Sequence, residues 1–212
     1  MADNKSLIKE KLQNALSYSQ FRQLSERNVK SVNPEFLNEA EKAYYDYRKL
    51  NLARVSRLEK LYKPTDKALG IIQRISSPQT WLVITEDWCG DSAQTLPVIA
   101  SLSEVNNKVN LKIVLRDSNL DLMDLYLTHG KRSIPKLIAF DNELNEIFQW
   151  GPRPQPAKLL VDELNKQGLN KQEIIKQLHL WYAKDGGYST ESEIIELINK
   201  SIKLNSSQQI NS

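Results

Sequence analysis

The sequence predicts an α/β protein: one mixed sheet covered by helices on both faces, with helical extensions at each end. Three observations predict it. Through residues 1–78 apolar residues recur at spacings of three and four, the period of a helix. From Thr80 onward, short apolar and partly β-branched runs alternate with further helical stretches. The third and fourth runs are joined only by Asp141, Asn142 and Glu143, short enough for a hairpin turn.

The elements follow in order. In the N-terminal part, Phe36, Ala40, Ala43, Tyr44, Tyr47, Leu50, Val55, Leu58 and Leu61 mark a long helix. Asn33-Pro34-Glu35 offers it a cap followed by a first-turn proline. Pro64 ends that helix, Thr65 and Asp66 cap a shorter one to about Ser76, and Pro78 breaks the pattern. Strands are expected at 81–85, 111–115, 136–140 and 144–150. Helices are expected at 91–105, with Ala93, Leu96, Ile99, Ala100 and Leu102 inward, and at 120–128, stopped by Gly130. The proline-rich 151–156 is a rigid connector into a helix over 157–166. Two more helices, 171–182 and 191–204, are separated by Asp185-Gly186-Gly187, and the polar end NSSQQINS is expected to fray. The expected division is a helical extension at 1–78, the α/β core at 79–168 and a second extension at 169–212. Tyr44, Tyr45 and Tyr47 are expected to pack on the sheet or a neighbouring helix.

Composition narrows the function. With 212 residues, 40% hydrophobic and 26% charged, the chain suits one main domain with additions, or two small ones. A chain of this size buries about 70% of its unfolded surface and folds without disulfides or metal. The 29 basic residues against 26 acidic ones form no basic stripe, which argues against a nucleic-acid partner. The one cysteine excludes an internal disulfide and points to the cytoplasm. The N-terminal MADNKSLIKEKL scatters charges where a signal peptide would be apolar. No segment approaches the ~20 apolar residues that span a bilayer, so no membrane partner is expected. His129 and His179 lack ligand spacing, so no metal is expected.

The chemistry concentrates in WLVITEDWCGDSAQTLP, residues 81–97. Cys89 follows a strand and begins a helix, where amides without intrahelical partners and the positive end of the dipole favour a thiolate. Ser92 lies one turn onward, within reach of the sulfur. Asp87 and Asp91 act in the opposite direction, and the sequence leaves that balance open. Glu86 and Asp87 read as a polar rim rather than acid–base catalysts.

Trp88-Cys89-Gly90-Asp91-Ser92 after a buried strand resembles the active-site loop of the thioredoxin superfamily. Ser133-Ile134-Pro135 before the third strand resembles its isoleucine and cis-proline, and Gly151 its groove glycine. EDWCGDSAQTLPVI, LKIVLRD, SIPKLIAF and WGPRP together are similar to a bacterial thioredoxin-like group whose motif often carries one cysteine. The resemblance spans about 79–167 and implies a thioredoxin fold. It also departs from the family in three places. Ser92 stands where the resolving cysteine would be, Asp91 where thioredoxins have proline, and Val83 where they bury an aspartate that serves the resolving thiol.

The resemblance implies monothiol thiol–disulfide exchange, with Cys89 as nucleophile and Ser92 stabilising its thiolate. Trp88, Gly90, Asp91, Ile134, Pro135 and Gly151 would contact the partner. Substrates would be protein or small-molecule thiols and disulfides. No cofactor is implied beyond a low-molecular-weight thiol, such as glutathione, that releases the adduct. Arg132 and Arg153 are placed to meet a carboxylate, though Lys131-Arg132 also reads as solvated charge. Two other readings accompany this one: a thioredoxin-fold binding module in which Cys89 is a remnant, and an iron–sulfur-binding monothiol glutaredoxin, whose Cys-Gly-x-Ser motif Cys89 to Ser92 also resembles.

Overall fold

The computed structural model describes residues 2–210, with side chains from Asn4 to Leu204. Of the last eight residues, expected to fray, those up to Ile210 continue the last helix, and the final two lie outside the described residues.

Before the sheet come α1 (Ala2–Gln13), α2 (Tyr18–Lys30), α3 (Glu39–Leu61) and α4 (Asp66–Ile72). Asn33 and Pro34 open only a 3-10 turn, Pro34–Phe36, and not the long helix. Residues 37 and 38 then run extended, and Asn38 caps α3 by a reciprocal pair of hydrogen bonds with Glu41. A second capping signal five residues downstream therefore won over the first. Thr65 caps α4 as its hydroxyl accepts from Ala68. That helix stops at Ile72 rather than near Ser76, and Asn106 Nδ2 donates to the carbonyls of Ile72 and Ile75 at 2.9 and 3.1 Å.

The core follows as β1 (Gln79–Thr85), α5 (Gly90–Ser103), β2 (Val109–Leu115), α6 (Leu120–Asp124), β3 (Lys136–Phe140), β4 (Glu146–Trp150) and α7 (Gln155–Lys166). After it come α8 (Lys171–Asp185) and α9 (Tyr188–Ile210). Two expected elements shorten for a shared reason. His129 and Gly130 take positive φ and close a turn in which Thr128 bridges Lys131, so α6 cannot reach 128. Leu144 is also left-handed, and Asp141 Oδ1 accepts from the amides of Glu143 and Asn145, which makes 141–145 a turn and not strand.

The sheet order is β2-β1-β3-β4, with β1 and β2 parallel and the other pairs antiparallel. Strand alternation gives it two apolar faces. Trp81, Val83, Leu137, Ala139 and Phe148 pack with Leu58, Ile72, Leu96, Ile99 and Ile194 from α3, α4, α5 and α9. Leu82, Ile84, Val114, Ile138 and Phe140 pack with Ile8, Leu122 and Met123 from α1 and α6. The β2 edge is met at one point, where Leu16 and Ile113 exchange both backbone hydrogen bonds at 2.8 Å.

The buried side of α3 is Asn51, Val55 and Leu58. Tyr44 and Tyr47, expected to pack inward, are 50% and 43% exposed and stand beside the site described next.

Candidate functional site

Ile84 of β1 pairs with Lys136 of β3, so the loop leaving β1 and the loop entering β3 emerge side by side at one end of the sheet. The first carries Cys89 and the second Pro135. Cys89 is the N-cap of α5, with extended backbone, and its carbonyl accepts from Ala93 at 3.1 Å. The Ile134–Pro135 peptide is cis, and the Cys89 thiol donates to the Ile134 carbonyl at 3.4 Å. Gly151, after β4, has φ of 115°, and a Cβ there would lie 2.3 Å from the Pro135 carbonyl oxygen. Only glycine fits. The Gly151–Pro152 peptide is cis as well.

The helical extensions help to hold both acidic residues flanking the cysteine. Asp87 accepts from Arg48 Nε and Asn28 Nδ2, each at 2.7 Å, while Asn51 Nδ2 donates to its carbonyl at 3.0 Å. Asp91 accepts from Arg153 Nε at 2.8 Å, from Arg153 Nη2 at 2.8 Å and from the Tyr182 hydroxyl at 2.9 Å. Glu86 points elsewhere: its Oε1 accepts from the Asp117 amide at 2.7 Å. Burial raises the Glu86 pKa above the usual carboxylate range.

Ser92 lies behind the sulfur, buried, and accepts from Thr85 Oγ1 at 2.5 Å. Cys89 itself is 8% exposed. Burial pushes its thiol above the ordinary cysteine range and the Asp91 charge pushes further, against the Ser92 hydroxyl and the amides of Ser92 and Asp91. The balance that the sequence left open thus settles toward the protonated thiol at rest. The helix terminus and Ser92 reduce that shift without reversing it.

One wall of the sulfur's surroundings is open. A cleft of about 340 Å³ is lined by Cys89, Trp88, Gly90 and Asp91, by Ala43, Tyr44 and Tyr47 of α3, by Arg153, and by Lys171, Ile175, Leu178 and His179 of α8. Trp88 is fixed between the Arg116 guanidinium, 4.8 Å above its ring, and an edge-on contact with Tyr44 at 5.8 Å. The His179 ring lies 2.9 Å from where a Gly90 Cβ would be, so glycine at 90 lets α8 close over the start of α5. Burial, then the charges of Arg54 and Arg153, bring the His179 pKa down to about 4, which leaves the imidazole neutral at pH 7. Gln94 Nε2 lies 3.3 Å from its Nδ1, within hydrogen-bond distance.

Of the residues the sequence predicts, Trp88, Cys89, Gly90 and Asp91 line the cleft, while Ile134, Pro135 and Gly151 flank the sulfur from the β3 side. Ser92 does not reach the cleft. Neither predicted arginine is left to meet a partner alone: Arg132 pairs with Asp124 at 2.7 Å on the exposed surface, and Arg153 holds Asp91. The sequence reading missed Asn28, Arg48, Asn51, Lys171, His179 and Tyr182. Their contacts with the loop join distant parts of the chain and leave no local pattern. The nearest available signal was the pair Tyr44 and Tyr47, aromatic residues on a helix face wider than its core contact requires. Among the described residues, no group of three or more His, Cys, Asp or Glu could hold a metal ion, and no helix is long and apolar enough to cross a membrane.

A family model described as thioredoxin matches residues 37–165, taking in α3 and α4 as well as the α/β core. A crystal structure of a protein of unknown function from Pseudomonas aeruginosa superposes with a TM-score of 0.54 at 18% identity, covering 88% of this chain and 99% of that one. An HIV epitope scaffold superposes with a TM-score of 0.52, also at 18% identity, covering 87% and 99%. These similarities show an α/β thioredoxin fold. No curated protein matches the chain.

Proposed function

The chain belongs to the thioredoxin family, and we propose that it carries out monothiol thiol–disulfide exchange with Cys89 as the nucleophile. The observation that carries this reading is the place of the sulfur: at the N-cap of α5, 3.4 Å from the carbonyl before Pro135, on the wall of an open cleft.

The reaction starts from a protonated thiol. Cys89 loses its proton, and the developing charge is met by the Ser92 hydroxyl and the amides of Asp91 and Ser92. The sulfur bonds to one sulfur of a disulfide, the old S–S bond breaks, and the other sulfur leaves as a thiolate that takes up a proton. With no second cysteine in the chain, a thiol from solution, such as glutathione, attacks the mixed disulfide and restores Cys89. Across both steps one disulfide is exchanged for another, so no further oxidant or reductant enters. Ile134, Pro135 and Gly151 provide a backbone edge for the partner, and Trp88, Gly90 and the Arg153-bound Asp91 shape the opposite wall. Such chemistry suits a reducing compartment, in keeping with a cytoplasmic setting.

A second reading rests on a specific observation: Cys89 is 8% exposed and burial raises its thiol pKa. Under it, the fold is a binding module and Cys89 a small core residue. Intact-mass measurement after incubation with oxidised glutathione separates the two. Exchange predicts one adduct on Cys89, its removal by reduced glutathione, and no adduct on Cys89→Ser. An unmodified, folded protein after long incubation at pH 9 would leave only the binding module.

A further inference from the structure

The cleft combines three properties. First, it runs between two helices. Cys89 is reached between α3, which supplies Tyr44 and Tyr47, and α8, which supplies Lys171, Ile175 and His179. About 340 Å³ falls in the range of small-molecule sites. Cys89 as a residue is 8% exposed and is flanked by two helices, a setting that favours a small disulfide over one standing on the surface of a folded protein.

Second, its walls are aromatic on one side and apolar on the other. Tyr44, Tyr47 and Trp88 face Ile175 and Leu178, surfaces that suit the amide or methylene body of a small molecule.

Third, it is cationic. The one carboxylate lining it, Asp91, is neutralised by Arg153 at 2.8 Å. Lys171 lines the cleft and makes no ion pair among the described residues. Arg54, with its Nη1 3.6 Å from where a Gly90 Cβ would lie, hydrogen-bonds only the neutral amide oxygen of Asn51 among the described residues. Lys171 and Arg54 therefore add positive charge around the cleft beyond the Arg153–Asp91 pair.

Resting on the exchange activity proposed above, we infer that the substrate half entering this cleft is a low-molecular-weight thiol, bound in a disulfide and carrying at least one carboxylate. It arrives as a free small disulfide or joined to a protein thiol, and in both cases the small anionic half bonds to Cys89. In the step, the Cys89 sulfur bonds to the sulfur of the small half, the disulfide breaks, and the other half departs as a thiol carrying the proton that Cys89 gave up.

The test is the rate of Cys89 adduct formation by intact mass at pH 8 with three probes: dithiodiglycolate, hydroxyethyl disulfide and cystamine, which are anionic, neutral and cationic. Each rate is divided by that of the same probe with 2-mercaptoethanol, a thiol with no other charge. The expected order is anionic over neutral over cationic, with about tenfold between the extremes, as a cleft of one charge sign produces. In Lys171→Glu the anionic-to-cationic ratio falls toward one or inverts, and in 1 M salt, where the screening length is about 3 Å, the wild-type ratio shrinks. With a protein carrying a glutathione mixed disulfide, Cys89 gains the mass of glutathione. Equal normalised rates, a cationic preference, or a cross-link to the protein half would each overturn this inference while the exchange activity stands. Adducts with none of the probes would instead overturn the exchange activity itself.

Discussion

Tyr182 of α8 donates to Asp91 at 2.9 Å, joining residues 91 positions apart at the edge of the candidate active-site loop. The partner on the other side of that carboxylate is Arg153, and Asp87 is held in the same manner by Asn28 and Arg48. The loop around Cys89 is thus fixed from both directions by segments outside the strands that bear it. The family match, beginning at residue 37, takes in α3 as well.

Tyr182→Phe removes a buried hydrogen bond to a charged group and should lower stability by about 1.5–3 kcal/mol. Arg153→Met removes the charge partner as well and should cost more, because the Asp91 carboxylate then keeps only the tyrosine. Urea unfolding of both variants checks the ranking, and equal stability of wild type and Arg153→Met would show that the network contributes nothing.

Asp91→Asn should bring the Cys89 thiol pKa down. The variant removes the negative charge that opposes the thiolate and frees the Arg153 cation, so both changes act in one direction. Cysteine alkylation followed against pH should show a faster reaction at pH 7 than wild type. An unmoved titration would mean that burial alone sets the thiol.

Much of this was legible in the sequence, for physical reasons. The strands, α5 and the Ile134-Pro135 pair rest on local patterns: short apolar runs, a helix start and a proline at a strand entry. Three of the element ends misplaced by the sequence reading were decided by one backbone dihedral, as at His129 and Leu144, or by a competing cap, as at Asn38. The thiol's protonation was not legible, because burial outweighs the helix terminus and burial is a property of the assembled fold. His179 and Lys171 stayed silent for a similar reason: nothing near either residue in the chain shows that α8 folds back over Gly90.

His179 should make stability depend on pH. Its folded pKa of about 4 lies below the unfolded value near 6.5, so the unfolded chain binds the extra proton first as pH falls. Stability is then undiminished by this group above about pH 6.5 and declines as pH drops toward 4, by at most about 1.4 kcal/mol per pH unit for one proton. His179→Gln should flatten that part of the curve in chemical unfolding measured from pH 7 to 4. An unchanged slope would place the histidine's pKa near its unfolded value.

Gly151→Ala should be severe and Gly70→Ala mild. A Cβ at 151 meets the Pro135 carbonyl at 2.3 Å on a backbone of positive φ, whereas a Cβ at 70, inside α4, meets nothing within 4 Å. The first should lose several kcal/mol by the clash and strain together, and the second should gain about 0.5–1 kcal/mol as helix replaces flexible chain. Thermal unfolding of the pair reads both, and a stable Gly151→Ala would mean that the turn facing Cys89 can move aside.

The most direct measurement is the rate at which iodoacetamide, small and uncharged, modifies Cys89 in the folded wild-type protein as pH is raised from 7 to 11. The account predicts slow modification at pH 7 that climbs to a plateau with a midpoint above that of a free cysteine. Absence of modification at every pH where the fold persists would contradict it, because the sulfur would then have no path to a reactant.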